Sequence, residues 1–419
     1  MLMDTRRNPF TPRRGAEPPV LAGRDEALAS ALTACGRLLQ GRSGRPVLLI
    51  GDRGMGKTAL LRAIAREASM YGFVVSSIDC PKDESERDLA ALLAPKIRAA
   101  ATWLLLSDGF GSAEADEFLS ALCRFEATYG VGEGDSFDRF EPDEDPFDVV
   151  ITGSLEVDLP ELFEALGYAF HAAGRGWFIA LDDLQLLNAE DLAALLAAVH
   201  RVGQLELPVM FVATGLPQIL RMTGDAKSYA ERLFRFCKLG PLDLEAVRRA
   251  IVEPLEAFTV SGTTVTEEAL ELLARETRGY PFFLQMWASA AWKAWCERTA
   301  GGGPEAVREA NTLTAADFEA TRAEALRTLD RDFYAEALDG ATAAEMALLE
   351  VMAEKTAESG SETCSAADVA TLLGKTEGEL SRQVTRMTKK GLIYRRVPGV
   401  LAFSAPLAGA SILWQKTGR

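Results

Sequence analysis

The sequence has few of the residues that build zinc sites or disulfide frameworks. Only two histidines, His171 and His200, occur in its 419 residues. The six cysteines stand singly, at Cys35, Cys80, Cys123, Cys237, Cys296 and Cys364. No pair of them has metal-ligand spacing, which argues against a zinc site. We expect buried or inert thiols in a reducing compartment.

Long apolar runs are also missing. The longest, at 47–50, 177–181 and 209–212, are far shorter than the roughly 20 residues that a membrane helix needs. The N-terminal residues 1–10 are charged and contain no apolar signal core. The sequence therefore predicts a cytoplasmic protein without a membrane span.

Positive charge is scarce and unevenly placed. The 45 basic residues face 61 acidic ones, for a formal charge of −16, so the molecule as a whole repels nucleic acid. Residues 126–158 hold eleven carboxylates and one basic residue, Arg139, whereas residues 382–419 hold eight basic residues and no acid. We expect 130–158 to be a loop or a partly disordered insertion, and any DNA contact to come from the basic C-terminus.

A phosphate-binding pattern, G-x-x-x-x-G-K-[ST] or Walker A, follows the first apolar run. It reads Gly51-Asp52-Arg53-Gly54-Met55-Gly56-Lys57-Thr58. The glycines allow the backbone to curl so that its N–H groups donate to phosphate oxygens, and the following helix, which continues with Ala59, adds its positive end. Lys57 would contact the β and γ phosphates of ATP, and the Thr58 hydroxyl would bind Mg²⁺. The alternative is a chance match at a helix start, which the flanking strand and amphipathic helix disfavour.

A second apolar strand, 177–181, ends in two acids. We expect this strand to lie beside the P-loop strand, so that Asp182 reaches the Mg²⁺ and Asp183 orients and deprotonates the attacking water. The alternative is a strand that simply ends in solvated acids. The P-loop about 120 residues earlier favours the catalytic interpretation.

The alternation of strands and helices predicts an α/β fold, a P-loop NTPase parallel sheet with helices on both faces. A helical lid and a C-terminal winged-helix domain would follow. We expect four parts: an extended segment over 1–22, a nucleotide-binding core over 23–240 with the acidic insertion at about 126–158, the lid with a connecting helix over 241–335, and a winged-helix domain over 341–419. No internal repeat is evident.

The predicted C-terminal domain consists of three helices and then two short strands around Pro398-Gly399, which is the winged helix-turn-helix plan. Its basic residues would meet phosphates of double-stranded DNA, namely Arg382, Arg386, Lys389, Lys390, Arg395 and Arg396. The alternative is a winged helix that contacts protein. Joint exposure of the cations on the third helix would favour DNA, and their pairing with the acidic insertion would favour an autoinhibited switch.

Over nearly its whole length the chain resembles the AAA+ ATPases of the Orc1/Cdc6-like group and the related STAND-type ATPases. The similar motifs are Asn8-Pro9-Phe10, Gly23-Arg24-Asp25, Asp182-Asp183-Leu184-Gln185, Ala213-Thr214-Gly215-Leu216-Pro217, Tyr229 to Phe234 and Gly279-Tyr280-Pro281-Phe282-Phe283-Leu284. The resemblance implies an ATPase with a C-terminal winged helix, ATP and Mg²⁺ as ligands, and a nucleotide-dependent homo-oligomer.

The resemblance also implies roles for single residues. Gly23 and Arg24 would lie where such proteins hold the adenine, and Pro281 would pack near the nucleotide unless Gly279-Tyr280-Pro281 is only a helix–helix turn. Thr214 resembles the sensor-1 residue that contacts the γ-phosphate; the alternative is a strand-ending threonine. Arg232, with Arg235 as second choice, resembles the arginine that enters a neighbour's ATP site. The alternative there is a local i,i+4 pair of Glu231 and Arg235 on one helix.

Two departures from the family pattern bear on hydrolysis. Asp183 stands where these proteins carry a glutamate, and the lid has no obvious sensor-2 arginine, Arg278 being the nearest candidate. Both predict slow turnover and leave ATP binding intact. Two functions therefore stay open, an ATP-driven DNA-associated protein and a STAND-type signalling switch with protein partners. A kinase-type enzyme is a weaker third, because no substrate-binding insertion is evident.

Overall fold

The computed structural model of the protein describes residues 8–10, 12–13, 15–81, 88–106, 113–131, 152–258, 263–299, 312–334, 338, 341–361, 363–405 and 408–417. The chain divides into two compact units. The first, called the sheet unit, comprises 24–51 and 57–238; the second, called the lid unit, comprises 1–23, 52–56 and 239–419. The break after 238 lies close to the core boundary expected at 240, and the other expected boundaries stay predictions.

The sheet unit alternates strands with helices. Its strands are β1 (Val47–Ile50), β2 (Phe73–Asp79), β3 (Gly176–Asp182), β4 (Val209–Gly215) and β5 (Arg235–Lys238). Its helices are α1 (Asp25–Leu39), α2 (Lys57–Met70), α3 (Leu89–Leu105), α4 (Ala113–Tyr129), α5 (Leu155–Ala172), α6 (Ala189–Gln204), α7 (Ile219–Ala226) and α8 (Ala230–Leu233). The sequence analysis did not assign α4, α7, α8 or β5.

The five strands are parallel, in the order β2-β3-β4-β1-β5. All residues of β1, β3 and β4 are buried, which requires cover on both faces of the central sheet and confirms the α/β P-loop fold. The expectation that β3 lies beside β1 is wrong, because β4 lies between them. The wholly buried β4 suits a central position, whereas the more exposed β5 suits an edge.

A buried carboxylate joins the helices on either side of the acidic insertion. Asp158, fully buried in the first turn of α5, accepts hydrogen bonds from the Tyr129 hydroxyl (2.7 Å), from Thr152 N and Oγ1 (2.8 Å each) and from Gly153 N (2.9 Å). The two ends of the insertion are thereby held together. The loop expected over 130–158 is wrong for 155–158, which form the first turn of α5. Residues 132–151 lie outside the described part of the chain, and the expectation for them stays a prediction.

Between residues 244 and 334 the lid unit is mainly helical. Its helices there are α9 (Leu244–Phe258), α10 (Glu267–Thr277), α11 (Pro281–Thr299), α12 (Ala315–Ala320), α13 (Arg322–Leu329) and a π-helical turn (Asp330–Tyr334). The expectation of a helical lid is incomplete, because this region also contains a pair of short strands. A short strand β6 (Thr264–Val265) pairs in parallel with β7 (Thr312–Leu313), joining residues that are distant in sequence.

The N-terminal segment packs on this helical region. Asn8 Nδ2 donates to Ser289 Oγ on α11 (2.8 Å), and Phe10 is buried in the core formed by α9, α10 and α11. The described residues of 8–22 contain no helix or strand, as an extended segment requires. The hydrophobic core of the lid unit thus includes its N-terminal residues.

The C-terminal region contains the expected elements and two more. Its elements are α14 (Ala343–Ser359), β8 (Thr363–Ser365), α15 (Ala366–Leu372), α16 (Glu377–Lys389), β9 (Ile393–Val397), β10 (Val400–Phe403) and α17 (Ala408–Thr417). The three strands form an antiparallel sheet in the order β8-β10-β9. Sequence analysis missed β8 and α17, since a three-residue strand carries almost no periodicity.

In the parts of the chain that the structure describes, no helix combines the length and apolar character needed to cross a bilayer.

Candidate functional site

The loop between β1 and α2 turns through two glycines with left-handed backbone. Gly54 has φ +81° and Gly56 has φ +79°, a conformation that other residues rarely adopt. No atom lies within 4 Å of the position that a Cβ on Gly56 would take. A Cβ on Gly54 would meet Phe333 at 3.2 Å and Phe282 at 3.5 Å, so the loop is open at Gly56 and covered at Gly54. Its backbone conformation is of the kind that accepts a phosphate.

Lys57 is the first residue of α2 and is 7% exposed. Its Nζ donates to the carbonyl of Gly51 (2.9 Å), so the ammonium folds back along the loop. The N–H of Gly51 in turn donates to Gly215 O at the end of β4 (3.2 Å). A positive side chain and the positive end of a helix thus coincide at the loop, as anion binding requires.

Asp182, at the end of β3, is hydrogen-bonded to α2 across the intervening β4. The Thr58 hydroxyl donates to its Oδ2 (2.7 Å), and the Thr214 hydroxyl donates to its Oδ1. Burial raises the pKa of the Asp182 carboxyl, the charges of Asp183 and Asp79 add to this, and the two hydroxyl bonds oppose it. The carboxylate and hydroxyl oxygens, which lie 2.7 Å apart, are of the kind that Mg²⁺ prefers as ligands.

Asp183 adopts a left-handed backbone conformation, with φ +59° and ψ 45°. Its N–H donates to Thr214 Oγ1 (3.0 Å), and its Oδ1 accepts a hydrogen bond from Gln185 Nε2 (3.0 Å). Gln185 Oε1 accepts from the N–H of Leu216, just after β4 (3.0 Å). Sequence analysis quoted Gln185 only as part of the Asp182–Gln185 motif and gave it no role; its spacing from the two acids was the available signal.

Thr214 is fully buried on β4 and joins the two acids. Its hydroxyl donates to Asp182 and accepts from the N–H of Asp183. These two bonds give Thr214 a local structural role, which is what the alternative of a strand-ending threonine implies. The sensor-1 role for Thr214 stays a prediction.

The two candidate arginines for a neighbouring site, Arg232 and Arg235, are both exposed. Helix α8 ends at Leu233 and Arg235 begins β5, so Glu231 and Arg235 are not on one helix and the i,i+4 alternative is wrong. The turn between them is fixed by Arg45, whose guanidinium donates to Arg232 O and Phe234 O (2.7 Å each). The side chain of Arg232 is thus displayed on a rigid turn.

The residues expected near the adenine and the lid are placed as follows. Gly23 has φ +66°, and a Cβ there would meet Ala246 and Leu242 at 3.1 Å, so the lid helix α9 approaches it closely. Arg24 is buried before α1, and burial lowers its pKa. Pro281 begins α11, where a proline is favoured.

Backbone conformation and close contacts explain the glycine in the Gly279-Tyr280-Pro281 turn. Gly279 has φ +68°, and a Cβ there would lie 2.0 Å from the carbonyl oxygen of Leu242. Within the same unit, Phe282 N donates to Gly54 O (3.3 Å), which brings the start of α11 to the tip of the phosphate loop. The geometry of the turn therefore accounts for a glycine at position 279. A role for Pro281 at the nucleotide stays a prediction.

Arg382 and Arg386 of the third helix are both exposed, and Arg386 also pairs with an acid of the C-terminal region itself. Glu345 on α14, whose side chain is 3% exposed, pairs with Arg386 Nε (3.0 Å) and Lys390 Nζ (3.2 Å). Arg382 and Arg396 are exposed, and Arg395 donates to Ser381 Oγ on α16 (2.9 Å). The Lys389 side chain lies outside the described residues.

The acids at the ends of the insertion pair within the sheet unit. Glu126 pairs with Arg98 (2.7 Å), and Glu156 pairs with Lys227. Asp158 is enclosed by its four donors. These described ends of the insertion thus have local partners within their own unit.

In the comparison with known proteins, residues 20–212 match the family model described as an AAA ATPase domain. Residues 331–410 match a second model, described as a domain of unknown function (DUF8462). No curated protein matches the chain in sequence.

Solved structures similar to the chain include the ORC2 protein of Aeropyrum pernix in two states. Its ADPNP–ADP complexes match with a TM-score of 0.52 and 16% identity, over 97% of this chain and 98% of that chain. Its ADP form matches with a TM-score of 0.50 and 14% identity, over 99% of each. Residues 20–212 are thus similar to an AAA ATPase domain, and the chain shares its fold with the Aeropyrum pernix ORC2 protein.

Proposed function

We propose that the protein binds ATP·Mg²⁺ and hydrolyses it slowly, and that its nucleotide state controls self-assembly and DNA association. The observation that carries the proposal is the hydrogen bond of 2.7 Å between Thr58 and Asp182, beside the glycine loop that Lys57 follows. A hydroxyl, a carboxylate and an ammonium at one loop are the groups that P-loop ATPases use.

Each residue has a distinct role in this proposal. Residues 51–56 hold the phosphates through backbone N–H groups, and Lys57 adds a positive charge. Thr58 and Asp182 hold Mg²⁺, which when bound offsets the negative charge of the phosphates. Asp183 accepts the proton of the attacking water, and Thr214 fixes both acids through its hydroxyl.

Slow hydrolysis follows from the length of Asp183. A side chain shorter by one methylene moves its carboxylate by about 1.5 Å, and a misplacement near 1 Å can slow a reaction roughly 100-fold. Asp183→Asn should nearly abolish turnover, and Asp183→Glu should retain or raise it. Phosphate release measured at saturating ATP tests both, with Asp191→Asn on α6 as the matched control. Unchanged turnover in Asp183→Asn would remove Asp183 from the mechanism.

Self-assembly is proposed to use Arg232, with Arg235 as the second choice. A trans arginine stabilises the transition state only when subunits meet, so specific activity should rise with protein concentration. Arg232→Ala should remove that rise while leaving ATP affinity intact. A flat concentration dependence, with a monomer in every nucleotide state, would contradict this part.

DNA association is proposed for the C-terminal region over 341–419, read as a winged helix. The order α14-β8-α15-α16-β9-β10 supports this plan. Four exposed cations can meet phosphates, so the full chain should bind duplex DNA weakly, with a log–log salt slope of roughly −4. The four are Arg382, Arg386, Arg395 and Arg396.

A salt titration tests this part. Replacing Arg382 and Arg396 together by Gln should weaken binding and reduce the slope by about 2. Lys416→Gln is the matched control, because Lys416 already pairs with Glu350 and Glu354. Equal slopes for the parent and the double variant would exclude this surface.

The STAND-type switch with a protein partner is favoured by one observation. Glu345 forms ion pairs with two of the predicted DNA-contacting cations, Arg386 and Lys390. These pairs lower the positive charge that is available for phosphate contacts. No binding of duplex DNA by the full chain at low salt, combined with nucleotide-dependent assembly, would make this the better account. In either case we place the protein in the cytoplasm.

A further inference from the structure

We infer that Gln185 is a positioning residue that holds the carboxylate of Asp183 in the orientation used for ATP hydrolysis. The inference rests on the proposed function and adds to it a residue that acts through its contact with Asp183. Its side-chain amide bridges the ends of β3 and β4. One end binds Asp183 Oδ1 and the other binds the N–H of Leu216, each at 3.0 Å.

The orientation of the Gln185 amide is determined by its partners. The backbone N–H of Leu216 can only donate, so the amide oxygen must face it. The amide nitrogen then faces Asp183, whose carboxylate oxygen accepts its N–H. A glutamine satisfies both partners at once, whereas a glutamate or a leucine at this position does not.

The turn that carries Asp183 does not need the amide for its shape. Its backbone is closed by the bonds Leu186 N–Asp183 O (2.9 Å) and Leu187 N–Leu184 O (3.2 Å). The N–H of Asp183 is held separately by Thr214. What Gln185 adds is control of the carboxylate torsion of Asp183, together with a bond to the N–H of Leu216.

The bond to Oδ1 leaves the second oxygen of Asp183 for chemistry. Among the residues that the structure describes, no donor contacts Asp183 Oδ2. A carboxylate fixed through one oxygen presents the other in a constant direction, as proton transfer from a water requires. Because the bond ends on Leu216, the position of this acid also depends on the loop after β4.

The first test is Gln185→Leu, which keeps the size of the side chain and removes both hydrogen bonds. We expect kcat to fall about 10- to 100-fold, with KM and ATP affinity within about twofold of the parent, since only the orientation of the acid is lost. Gln204→Leu, an exposed change at the end of α6, is the matched control and should leave kcat unchanged.

The second test separates the two bonds. Gln185→Glu keeps an acceptor for Leu216 and loses the donor to Asp183. At about pH 8, well above ordinary carboxyl pKa values, kcat should fall at least as far as in Gln185→Leu. Hydrogen exchange at the Leu216 amide should stay slow in Gln185→Glu and become faster in Gln185→Leu. A fall in kcat with Leu216 still protected assigns the effect to the Asp183 contact.

The outcomes separate this inference from the proposed function. If the parent binds no ATP or does not turn over, or if Asp183→Asn remains active, the proposed function fails and the inference with it. If Asp183→Asn is inactive while Gln185→Leu and Gln185→Glu keep the parent kcat, the inference alone is wrong. A loss of kcat that is matched by loss of ATP affinity would make Gln185 structural and would also overturn it.

Discussion

Replacing Thr214 by valine tests the hydrogen-bond network beneath the two acids. Valine has nearly the shape of threonine, so the change removes a hydroxyl without opening a cavity. The charged carboxylate of Asp182 loses a hydrogen-bond donor, at a cost of about 1.5–3 kcal/mol. The N–H of Asp183 loses its acceptor, at a cost of about 1–3 kcal/mol. Because Asp183 is only partly buried, we expect a total of about 3 kcal/mol.

The assay is thermal unfolding without nucleotide. For a unit of about 200 residues, each kcal/mol shifts Tm by roughly 2–4 °C, so Thr214→Val should melt about 6–12 °C below the parent. Thr214→Ser, which keeps the hydroxyl, should recover most of the loss. The matched control is Thr223→Val, because Thr223 is equally buried but its hydroxyl bonds only to carbonyls of its own helix. Equal melting temperatures for Thr214→Val and Thr223→Val would refute the claim that the hydrogen bonds of Thr214 stabilise this unit.

Three further predictions concern stability. Since burial raises the pKa of Asp182, the folded state binds this proton more tightly than the unfolded state, and stability is lost as pH rises through the folded pKa. Asp182→Asn should therefore melt above the nucleotide-free parent at neutral pH, with the gap closing toward pH 4, measured by melting across that range. Gly279→Ala should lower Tm more than Gly203→Ala, because its Cβ would lie 2.0 Å from Leu242 O; equal melting would contradict the clash. Asp158→Ala leaves several donors unpaired and should cost at least about 3 kcal/mol in a denaturant titration; a loss below 1 kcal/mol would refute the clamp.

Local patterns were enough to locate the glycine loop between β1 and α2 and the strand that ends in Asp182. The P-loop motif depends on consecutive residues, and the strand ending in Asp182 depends on apolar periodicity, so both are readable from sequence. The position of β3 was not readable, since the order of strands depends on which buried surfaces pair in three dimensions. The sequence therefore predicted that Asp182 meets Thr58 and misjudged the strand between them.

Side-chain partners across the fold were the least predictable. Gln185 acquires its role only because β4 brings Leu216 beside β3, and no local pattern encodes that neighbour. Glu345 lies on α14, 41 and 45 residues before the cations that it pairs with, and its burial follows from helix packing. Such pairings are set by tertiary contacts, which periodicity does not report.

The measurement that tests the central claim most directly is ATP·Mg²⁺ binding by Lys57→Ala. Removing the ammonium should weaken binding about 10- to 100-fold, because the loop loses its positive charge, and the melting temperature measured on the same samples checks that the variant is folded. Lys96→Ala, which removes an exposed lysine from α3, should bind as the parent does. Parent-like affinity in a folded Lys57→Ala would contradict the assignment of the phosphate loop.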